Sequence, residues 1–484
     1  MNASRPSQRF LPEIRTPRRS PASCVSSRLI LLAGFLAGCA SVDSPVNLTK
    51  RVDALLAPMV AAKELTGAVV LARRGEIVYQ RGFGHANHAS NVAFTPDTAT
   101  DGGSIAKTFT AAGIWWLVQD GRIDPDAPVT RYVAEYPHLQ TTVRQLLSHS
   151  NGLPPYYEFF DPHFAPDEVR TTEAMLRIVA REASAPIFPP GSRFEYSNFG
   201  FDIGALIIER VTGKRYEVFL KERFFWRLAM GTTFARPARL ADWQGVRTMG
   251  YRWKDAAWEI VDVFDMEGFL GASNLYFSAT DLYRWGNANA AGAAIPADVF
   301  VLGNQRTLID GKPSAITALS WYCDPAGARC YYTGSINAFH SLVYWDRSLN
   351  ETAVLVSNSS LPPWQAITLQ RRLVDALAGR AAQADDASSF QRFNKSTRLT
   401  VAGTYSADGL GNVMVRSGAD DIKLKIDDGL EFDAFPVSPD VFYVPGLDYW
   451  LAFGEGQPPA SLHLRSMFVD TVARRVPKPS GATP

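Results

Sequence analysis

The sequence predicts an α+β fold that is followed by a small all-β domain. Strand patterns occur at both ends of residues 52–378 and helical patterns fill the middle, whereas only short alternating strand patterns follow residue 398. We therefore expect an antiparallel sheet built from both ends of 52–378, flanked by helices and carrying an all-helical subdomain. Residues 399–478 are expected to form a barrel-like β-domain, which a polar linker at 379–398 joins to the first domain.

The first half of the chain begins with a helix and a hairpin. The helix is predicted over 52–63, and strands over 67–71 and 76–82 are joined by the Arg74-Gly75 turn. Apolar residues then recur with helical spacing in segments that end at a glycine or a turn. These segments predict a helix from Ser104 to Asp120-Gly121 and further helices over 141–147, 201–212 and 216–225.

Strand patterns return in the second half. Strands are predicted over 319–322, 331–333, 341–346 and 352–357, and an amphipathic helix over 365–378 completes the first domain. In the tail, residues 422–426 alternate before the Asp427-Asp428-Gly429 turn, and short strands over 441–444, 449–453 and 462–464 follow.

The amino end has the composition of an export signal. Residues 1–28 are rich in Arg, Pro and Ser, and the ten-residue apolar run 29–38 is too short for a bilayer, which takes roughly 20 residues. The small residues before Cys39 resemble a bacterial lipobox. That resemblance implies removal of 1–38, a lipid anchor on Cys39, and a tether over 39–51. Ala40 in place of Asp favours the outer membrane over the inner one, on the periplasmic face; a plain signal peptide cut nearby is the alternative.

Charge and cysteine content narrow the function classes. A net charge of +1 with no basic run in the mature part argues against nucleic acid as a partner. Cys24 would leave with the signal and Cys39 would be acylated, so Cys323 and Cys330 remain. A turn-like hexapeptide separates these two, and in an oxidising compartment they are expected to form a disulfide. The sequence has no zinc-ligand spacing, and no metal or other cofactor is predicted.

The pair Ser104 and Lys107 is the strongest indication of chemistry. At the start of a helix the two side chains lie at i and i+3 on one face, within reach of each other. A serine hydroxyl needs a nearby base to become a nucleophile, and a Lys in a partly dry pocket can have a pKa low enough to take its proton. The Gly102-Gly103 pair before Ser104 marks a tight entry into that helix.

Two further polar clusters lie later in the chain. Tyr196 and Asn198 form the only Tyr-x-Asn of the sequence, on a loop before a helix. A tyrosine phenol can relay protons and an asparagine amide can hold a substrate carbonyl. The run Tyr332-Thr333-Gly334-Ser335 lies on a predicted strand, whose edge can supply a backbone N–H to a substrate.

Taken in order, Ser-x-x-Lys, Tyr-x-Asn and the Thr-Gly strand resemble the three motifs of the serine β-lactamase and penicillin-binding-protein superfamily. The tyrosine form is similar to its class C and esterase branch. The segments Gln145 to Pro154 and Ser278 to Leu282 also match the flanks of that pattern, so the resemblance covers about 52–378. The tail from Ala402-Gly403-Thr404-Tyr405 is similar to the lipocalin-like β-domain of many members.

The resemblance implies acyl transfer. Ser104 would attack a carbonyl to form an acyl-enzyme, while Lys107 and Tyr196 would share the general-base and general-acid work. Asn198 would bind the acyl side chain or order the proton network. Backbone N–H groups of Ser104 and Ser335 would form the oxyanion hole, and the strand that includes Thr333 and Gly334 would dock the substrate.

One departure from the family pattern separates the candidate functions. Tyr332 stands where the lactamase and D,D-peptidase motif has Lys and many relatives have His, so a positive charge for a substrate carboxylate is missing. The first hypothesis is thus hydrolysis of an ester or amide of a small, apolar acyl group. The alternatives are a β-lactamase, D,D-peptidase or D-aminopeptidase, and a catalytically inert binding lipoprotein. A Ser-His-Asp triad using His149 or His340 is disfavoured, because no Gly-x-Ser-x-Gly elbow is present.

Overall fold

The structure is a computed structural model that describes residues 45–165, 167–262, 268–380, 400–408, 410–418, 422–437, 441–444 and 447–477. Its helices are α1 (Pro45–Ala61), α2 (Ala106–Gln119), α3 (Val143–Leu147), α4 (Tyr156–Phe160), α5 (Thr172–Glu182), α6 (Phe199–Thr212), α7 (Tyr216–Leu220), α8 (Ala279–Ala290), α9 (Ala297–Gly303) and α10 (Pro363–Leu377).

The strands of the first domain are β1 (Gly67–Arg73), β2 (Glu76–Phe83), β3 (His85–Asn87), β4 (Val92–Ala93), β5 (Thr100–Asp101), β6 (Phe234–Ala235), β7 (Tyr251–Lys254), β8 (Ala257–Ile260), β9 (Leu275–Phe277), β10 (Arg306–Ile309), β11 (Lys312–Thr317), β12 (Tyr322–Cys323), β13 (Arg329–Ile336), β14 (Phe339–Asp346) and β15 (Glu351–Ser357). Those of the tail are β16 (Gly403–Ala407), β17 (Gly411–Ser417), β18 (Ile422–Ile426), β19 (Glu431–Pro436), β20 (Phe442–Val444), β21 (Tyr449–Phe453), β22 (Ser461–Arg465) and β23 (Asp470–Arg475).

The main sheet joins the two ends of the first domain, which confirms the predicted α+β class. Its strand order is β10-β11-β12-β13-β14-β15-β1-β2, and every neighbouring pair is antiparallel. Strand β14 and strand β15 are buried along their whole length. Continuous burial requires cover on both faces, and α8 and α10 both pack on this part of the sheet.

Helix α2 is the central helix of the helical layer. Its residues are buried almost all round, and Phe109 stacks on Trp285 of α8 with ring centroids 4.0 Å apart. Helix α6 packs alongside, and Gly204 permits this because a Cβ there would lie 3.1 Å from the Thr110 side chain. Helix α2 is thereby held between α8 and α6.

The tail forms a closed barrel, again as predicted. Strands β16 to β23 pair in sequence, and β16 pairs with β23 through Tyr405 and Arg475 to close it. Alternate residues such as Val413, Val415 and Leu424 point into a buried interior.

The barrel packs against the first domain and belongs to the same compact unit. Arg465 of β22 donates to the Thr368 hydroxyl of α10 at 2.6 Å, and its guanidinium lies 4.5 Å from the Trp364 ring centroid. Arg371 of α10 pairs with Asp470 of the barrel at 3.5 Å. These contacts are largely buried, so α10 serves as the shared wall of the two domains.

Several element boundaries differ from the sequence predictions. Helix α1 begins at Pro45 and not at residue 52, so 45–51 belong to a helix and not to the predicted tether. Leu48, Val52 and Leu56 form a buried stripe with helical spacing, and Pro45 is well suited to a first helical turn. The helix ends at Ala61 because the chain turns through Lys63, whose φ is +60°.

Two other segments also need correction. The strand predicted over 319–322 is confined to Tyr322–Cys323, since Ser320 has a φ of +62° and turns the chain just before it. The helix predicted over 216–225 ends as α7 at Leu220 and continues as a wider π-turn over Lys221–Phe225. The predicted signal, the acylated Cys39 and nearly all of the linker at 379–398 lie outside the described residues. No helix in the described ranges is long and apolar enough to cross a membrane.

Candidate active site

Ser104 lies in a short 3-10 turn, Gly103–Ile105, that leads directly into α2. Lys107 on the first turn of α2 donates to the Ser104 Oγ at 3.0 Å and to the Ala272 carbonyl at 2.9 Å. The lysine side chain is fully buried, and no carboxylate in the described residues forms an ion pair with it. The i and i+3 spacing in the sequence therefore places a buried amine directly beside the hydroxyl.

Tyr196 reaches the same hydroxyl from the loop between α5 and α6. Its phenol donates to the Ser104 Oγ at 2.8 Å, and the Lys107 Nζ lies 5.1 Å from the centre of its ring. Lys107 and Tyr196 are thus both within proton-transfer distance of Ser104. The Ser-x-x-Lys and Tyr-x-Asn motifs, which the sequence singled out separately, therefore meet at one oxygen atom.

His149 fixes the tyrosine without joining the reaction centre. Its ring stacks on Tyr196 with centroids 4.4 Å apart, and its Nδ1 accepts the Ser197 backbone N–H at 3.0 Å. Burial, and then the charge of Lys107, lower the pKa of His149 well below its usual value of 6.5. The imidazole is therefore neutral and serves as a flat support for the phenol.

The third motif lies on β13 beside the Ser104 turn. A Cβ on Gly334 would lie 2.0 Å from the Gly102 carbonyl oxygen, and one on Gly103 would lie 3.0 Å from the Ser335 backbone nitrogen. Ser341 on the next strand donates its hydroxyl to the Gly102 carbonyl at 2.8 Å. Glycine is required at these positions because two backbone segments touch, and this contact places the Ser335 N–H next to Ser104.

A cavity of about 350 Å³ opens above Ser104. It is lined by Ser104, Tyr196, Tyr322, Tyr332, Thr333, Gly334, Ser335, His340, Ala366, Ile367, Gln370, Val437, Tyr443 and Trp450. The last three belong to the barrel, so the tail contributes a wall of the cavity. Asn198 is not among the lining residues; it is half-buried and its carbonyl accepts the Phe201 N–H at the start of α6.

Apart from His340, sequence reasoning did not single out the lining residues outside the three motifs. One face of α10 contributes Ala366, Ile367 and Gln370 to the lining. The helical pattern of this segment is visible in the sequence, but the sequence does not show which residues lie opposite that face. The barrel residues Tyr443 and Trp450 carry no motif at all.

Tyr332 faces the cavity as a neutral phenol. It is 2 % exposed, and its hydroxyl makes no hydrogen bond among the described residues. Burial, followed by the neighbouring Tyr196, raises the pKa of Tyr332 well above its usual value. Tyr332 therefore places an uncharged hydroxyl, and no positive charge, at the cavity wall.

Two other groups border the site. Cys323 and Cys330 are joined across the β12–β13 pair, next to Tyr322, with their sulfur atoms 1.99 Å apart. His340 accepts the Leu361 N–H at Nε2, and its Nδ1 lies 3.3 Å from the Ser335 hydroxyl. Neither His340 nor His149 is hydrogen-bonded to Ser104. In the described part of the chain no group of three His, Cys, Asp or Glu could hold a metal ion.

The fold is that of the class of serine hydrolases first indicated by the three motifs. The sequence model of the Beta-lactamase family matches residues 52–378, and the chain belongs to that family of serine hydrolases.

The similar proteins include a penicillin-binding protein and an esterase. A penicillin-binding protein of Bacillus subtilis (strain 168) is 26% identical over 252 residues, 50% of this chain and 56% of that protein. Esterase EstB of Burkholderia gladioli is 32% identical over 189 residues, 36% of this chain and 48% of the esterase. The chain thus spans about half the length of each. The solved penicillin-binding protein homologue from Pyrococcus abyssi has the same fold, with a TM-score of 0.59 at 21% identity over 88% of this chain and all of that one.

The contact at Gly334 is open to test. Gly334→Ala is expected to lower the free energy of unfolding by about 1–3 kcal/mol, because the added methyl group overlaps the Gly102 carbonyl. Urea denaturation measures this change. Gly231→Ala is the matched control, since a Cβ there meets nothing within 4 Å and should shift stability by less than about 0.5 kcal/mol. Equal effects of the two substitutions would refute the close approach.

The buried His340 predicts a pH dependence of stability. Burial lowers its pKa from 6.5 to about 4, so the folded state binds fewer protons than the unfolded state between these values. Stability from this group is complete above pH 6.5 and is lost as the pH falls to about 4, at up to about 1.4 kcal/mol per pH unit.

The measurement compares wild type with His340→Gln by urea denaturation from pH 4 to pH 7. The variant is expected to show a shallower slope, by close to one proton, than wild type. An unchanged slope in His340→Gln would show that this histidine is not the titrating group.

Proposed function

We propose that this protein hydrolyses an ester or amide of a small acyl group through an acyl-enzyme on Ser104. The observation that supports this most directly is the convergence of Lys107 Nζ and Tyr196 OH on the Ser104 Oγ, at 3.0 Å and 2.8 Å. A nucleophile with two proton-exchanging neighbours at the floor of a cavity is the arrangement that acyl transfer needs.

The reaction follows in two halves. The reaction starts from the state in which Lys107 or Tyr196 has given up one proton. Ser104 Oγ then bonds to the substrate carbonyl carbon while its own proton passes to that deprotonated member of the pair. The oxyanion accepts the backbone N–H groups of Ser104 and Ser335, and the leaving group departs with the proton as its bond to carbon breaks. Water then adds to the acyl carbonyl, gives its proton to the same pair, and releases the acid as Ser104 regains its hydrogen.

The cavity lining supports an uncharged or apolar acyl group. Ala366, Ile367 and Val437 provide aliphatic contacts, and Trp450 adds a large aromatic face. No Asp, Glu, Lys or Arg is among the lining residues of the described chain. A substrate carboxylate would lose its hydration there without gaining a counter-ion.

The second candidate is a β-lactamase, D,D-peptidase or D-aminopeptidase activity. Membership of the family and the relation to a penicillin-binding protein support it. The neutral Tyr332 weighs against the first two, because their substrates carry a carboxylate at this end of the site. The binding-protein alternative is disfavoured because Ser104, Lys107 and Tyr196 are all present and in contact.

The primary test is the initial rate of p-nitrophenyl butyrate hydrolysis by a soluble chain that starts at Ala40. Ser104→Ala is expected to reduce kcat by at least 10³-fold with an unchanged melting temperature, because the nucleophile is lost while the fold is kept. Ser192→Ala, at an exposed serine, is the control and should retain full activity.

The other outcomes assign the alternatives. Residual activity of Ser104→Ala within tenfold of wild type would rule out the acyl-enzyme assignment. Covalent labelling of Ser104 by a fluorescent penicillin, without ester turnover, would favour the penicillin-recognising activities. Absence of both turnover and labelling would favour a binding protein.

We also propose that the protein is a lipoprotein held at the outer membrane through Cys39. The apolar run 29–38 that ends in small residues before Cys39, and Ala40 after it, support this. In a bacterial expression host, labelled palmitate is expected to enter the wild-type chain and not Cys39→Ser. Cys24→Ser is the control. Equal labelling of Cys39→Ser and wild type would contradict the proposal.

A further inference from the structure

One end of the cavity is an aromatic recess, defined here by Tyr322, Tyr332, Tyr443 and Trp450. Tyr322 and Tyr332 come from neighbouring strands of the sheet, with ring centroids 5.6 Å apart. Tyr443 and Trp450 come from a barrel hairpin, with ring centroids 4.7 Å apart. Two aromatic pairs from two domains therefore border the same space beside the reactive serine.

A buried carboxylate lies directly behind this recess. Asp448, in the turn between β20 and β21, is 1% exposed. Tyr443 donates to its Oδ1 at 2.6 Å, and the Tyr331 hydroxyl donates to its Oδ2. No Lys, Arg or His in the described part of the chain pairs with it. Burial raises the pKa of Asp448 above its ordinary value, while the hydrogen bonds from Tyr331 and Tyr443 oppose that rise by stabilising the carboxylate. Among the described residues the carboxylate has no opposite charge beside it, in contrast to most buried carboxylates.

The charge of Asp448 extends into the recess. Burial raises the pKa values of Tyr322, Tyr332 and Tyr443 well above the usual value of 10, and the Asp448 charge raises them further. The phenols are therefore neutral at neutral pH and lie in the field of the carboxylate. Burial also lowers the pKa of His340 to about 4, so this lining residue adds no positive charge.

We propose that the aromatic recess binds an ammonium group on the substrate of Ser104. The inference rests on the proposed hydrolase function and specifies its substrate class. Electron-rich ring faces attract ammonium ions, and they do so most strongly in sites that exclude water. The Tyr443 phenol separates Asp448 from the cavity, so Asp448 supplies the opposite charge without contacting the ligand. The recess thus combines ring faces with a buried anion and has no basic group among its lining residues.

The decisive comparison uses two isosteric esters. Butyrylcholine carries a trimethylammonium group, and 3,3-dimethylbutyl butyrate replaces its nitrogen by carbon. Wild type is expected to hydrolyse the cationic ester with a kcat/KM at least tenfold higher. Asp448→Asn should bring the ratio of the two values close to one, because the opposite charge is removed while the side-chain shape is kept.

Asp433→Asn is the matched control. It removes the same charge from a barrel carboxylate that is about one-third exposed and paired with Lys423, outside the recess. The wild-type ratio should persist in this variant. A ratio near one in wild type, or an equal fall of the ratio in both variants, would overturn the proposal.

A second measurement separates this inference from the proposed function and needs no turnover. Calorimetry on Ser104→Ala should show choline binding at least tenfold more tightly than 3,3-dimethyl-1-butanol. Equal binding of the two would overturn the inference even if p-nitrophenyl butyrate is hydrolysed through Ser104. Preferential binding of choline without turnover of any ester would instead retain the recess and overturn the hydrolase function. The test uses no change at Asp448, so it also decides the matter if Asp448→Asn fails to fold.

Discussion

The backbone contact between β13 and the Gly102-Gly103 turn is the constraint on which the site depends. The two segments come together only because Gly334 and Gly103 have no side chains at the point of contact. The contact brings the Ser335 N–H to the start of α2, where the Ser104 hydroxyl also lies. A nucleophile on a helix and a donor on a strand become one site through this single approach.

Burial gives that site its electrostatic character. Lys107 is enclosed by a carbonyl, a hydroxyl and aromatic rings, and the described residues provide no carboxylate for it. His149, buried against Tyr196, stays neutral partly because Lys107 is charged nearby. The same packing that holds the phenol in place thus keeps a second positive charge away from the serine.

The sequence predicted the contacts between residues that are close together in the chain and not those between residues that are far apart in it. The Ser-x-x-Lys spacing placed two groups on one helix turn, and the β1–β2 hairpin has a continuous apolar first strand and a Gly turn. The two-residue strands β5 and β6 have no readable pattern, because such short strands are formed by tertiary pairing with β9. Tyr443 and Trp450 fit the two-residue alternation of a barrel strand. That alternation does not show that their side chains face another domain.

The same limit applies to charge. The sequence shows that Tyr332 replaces a cation of the related motif, which by itself indicates only that a carboxylate ligand is disfavoured. The structure adds Asp448, 116 positions later in the chain, behind the phenols of Tyr331 and Tyr443. Loss of a positive group and gain of a buried negative one act in the same direction on a bound substrate. Because the barrel provides the carboxylate and the sheet provides Tyr332, the sign of the charge preferred in the cavity depends on how the two domains pack.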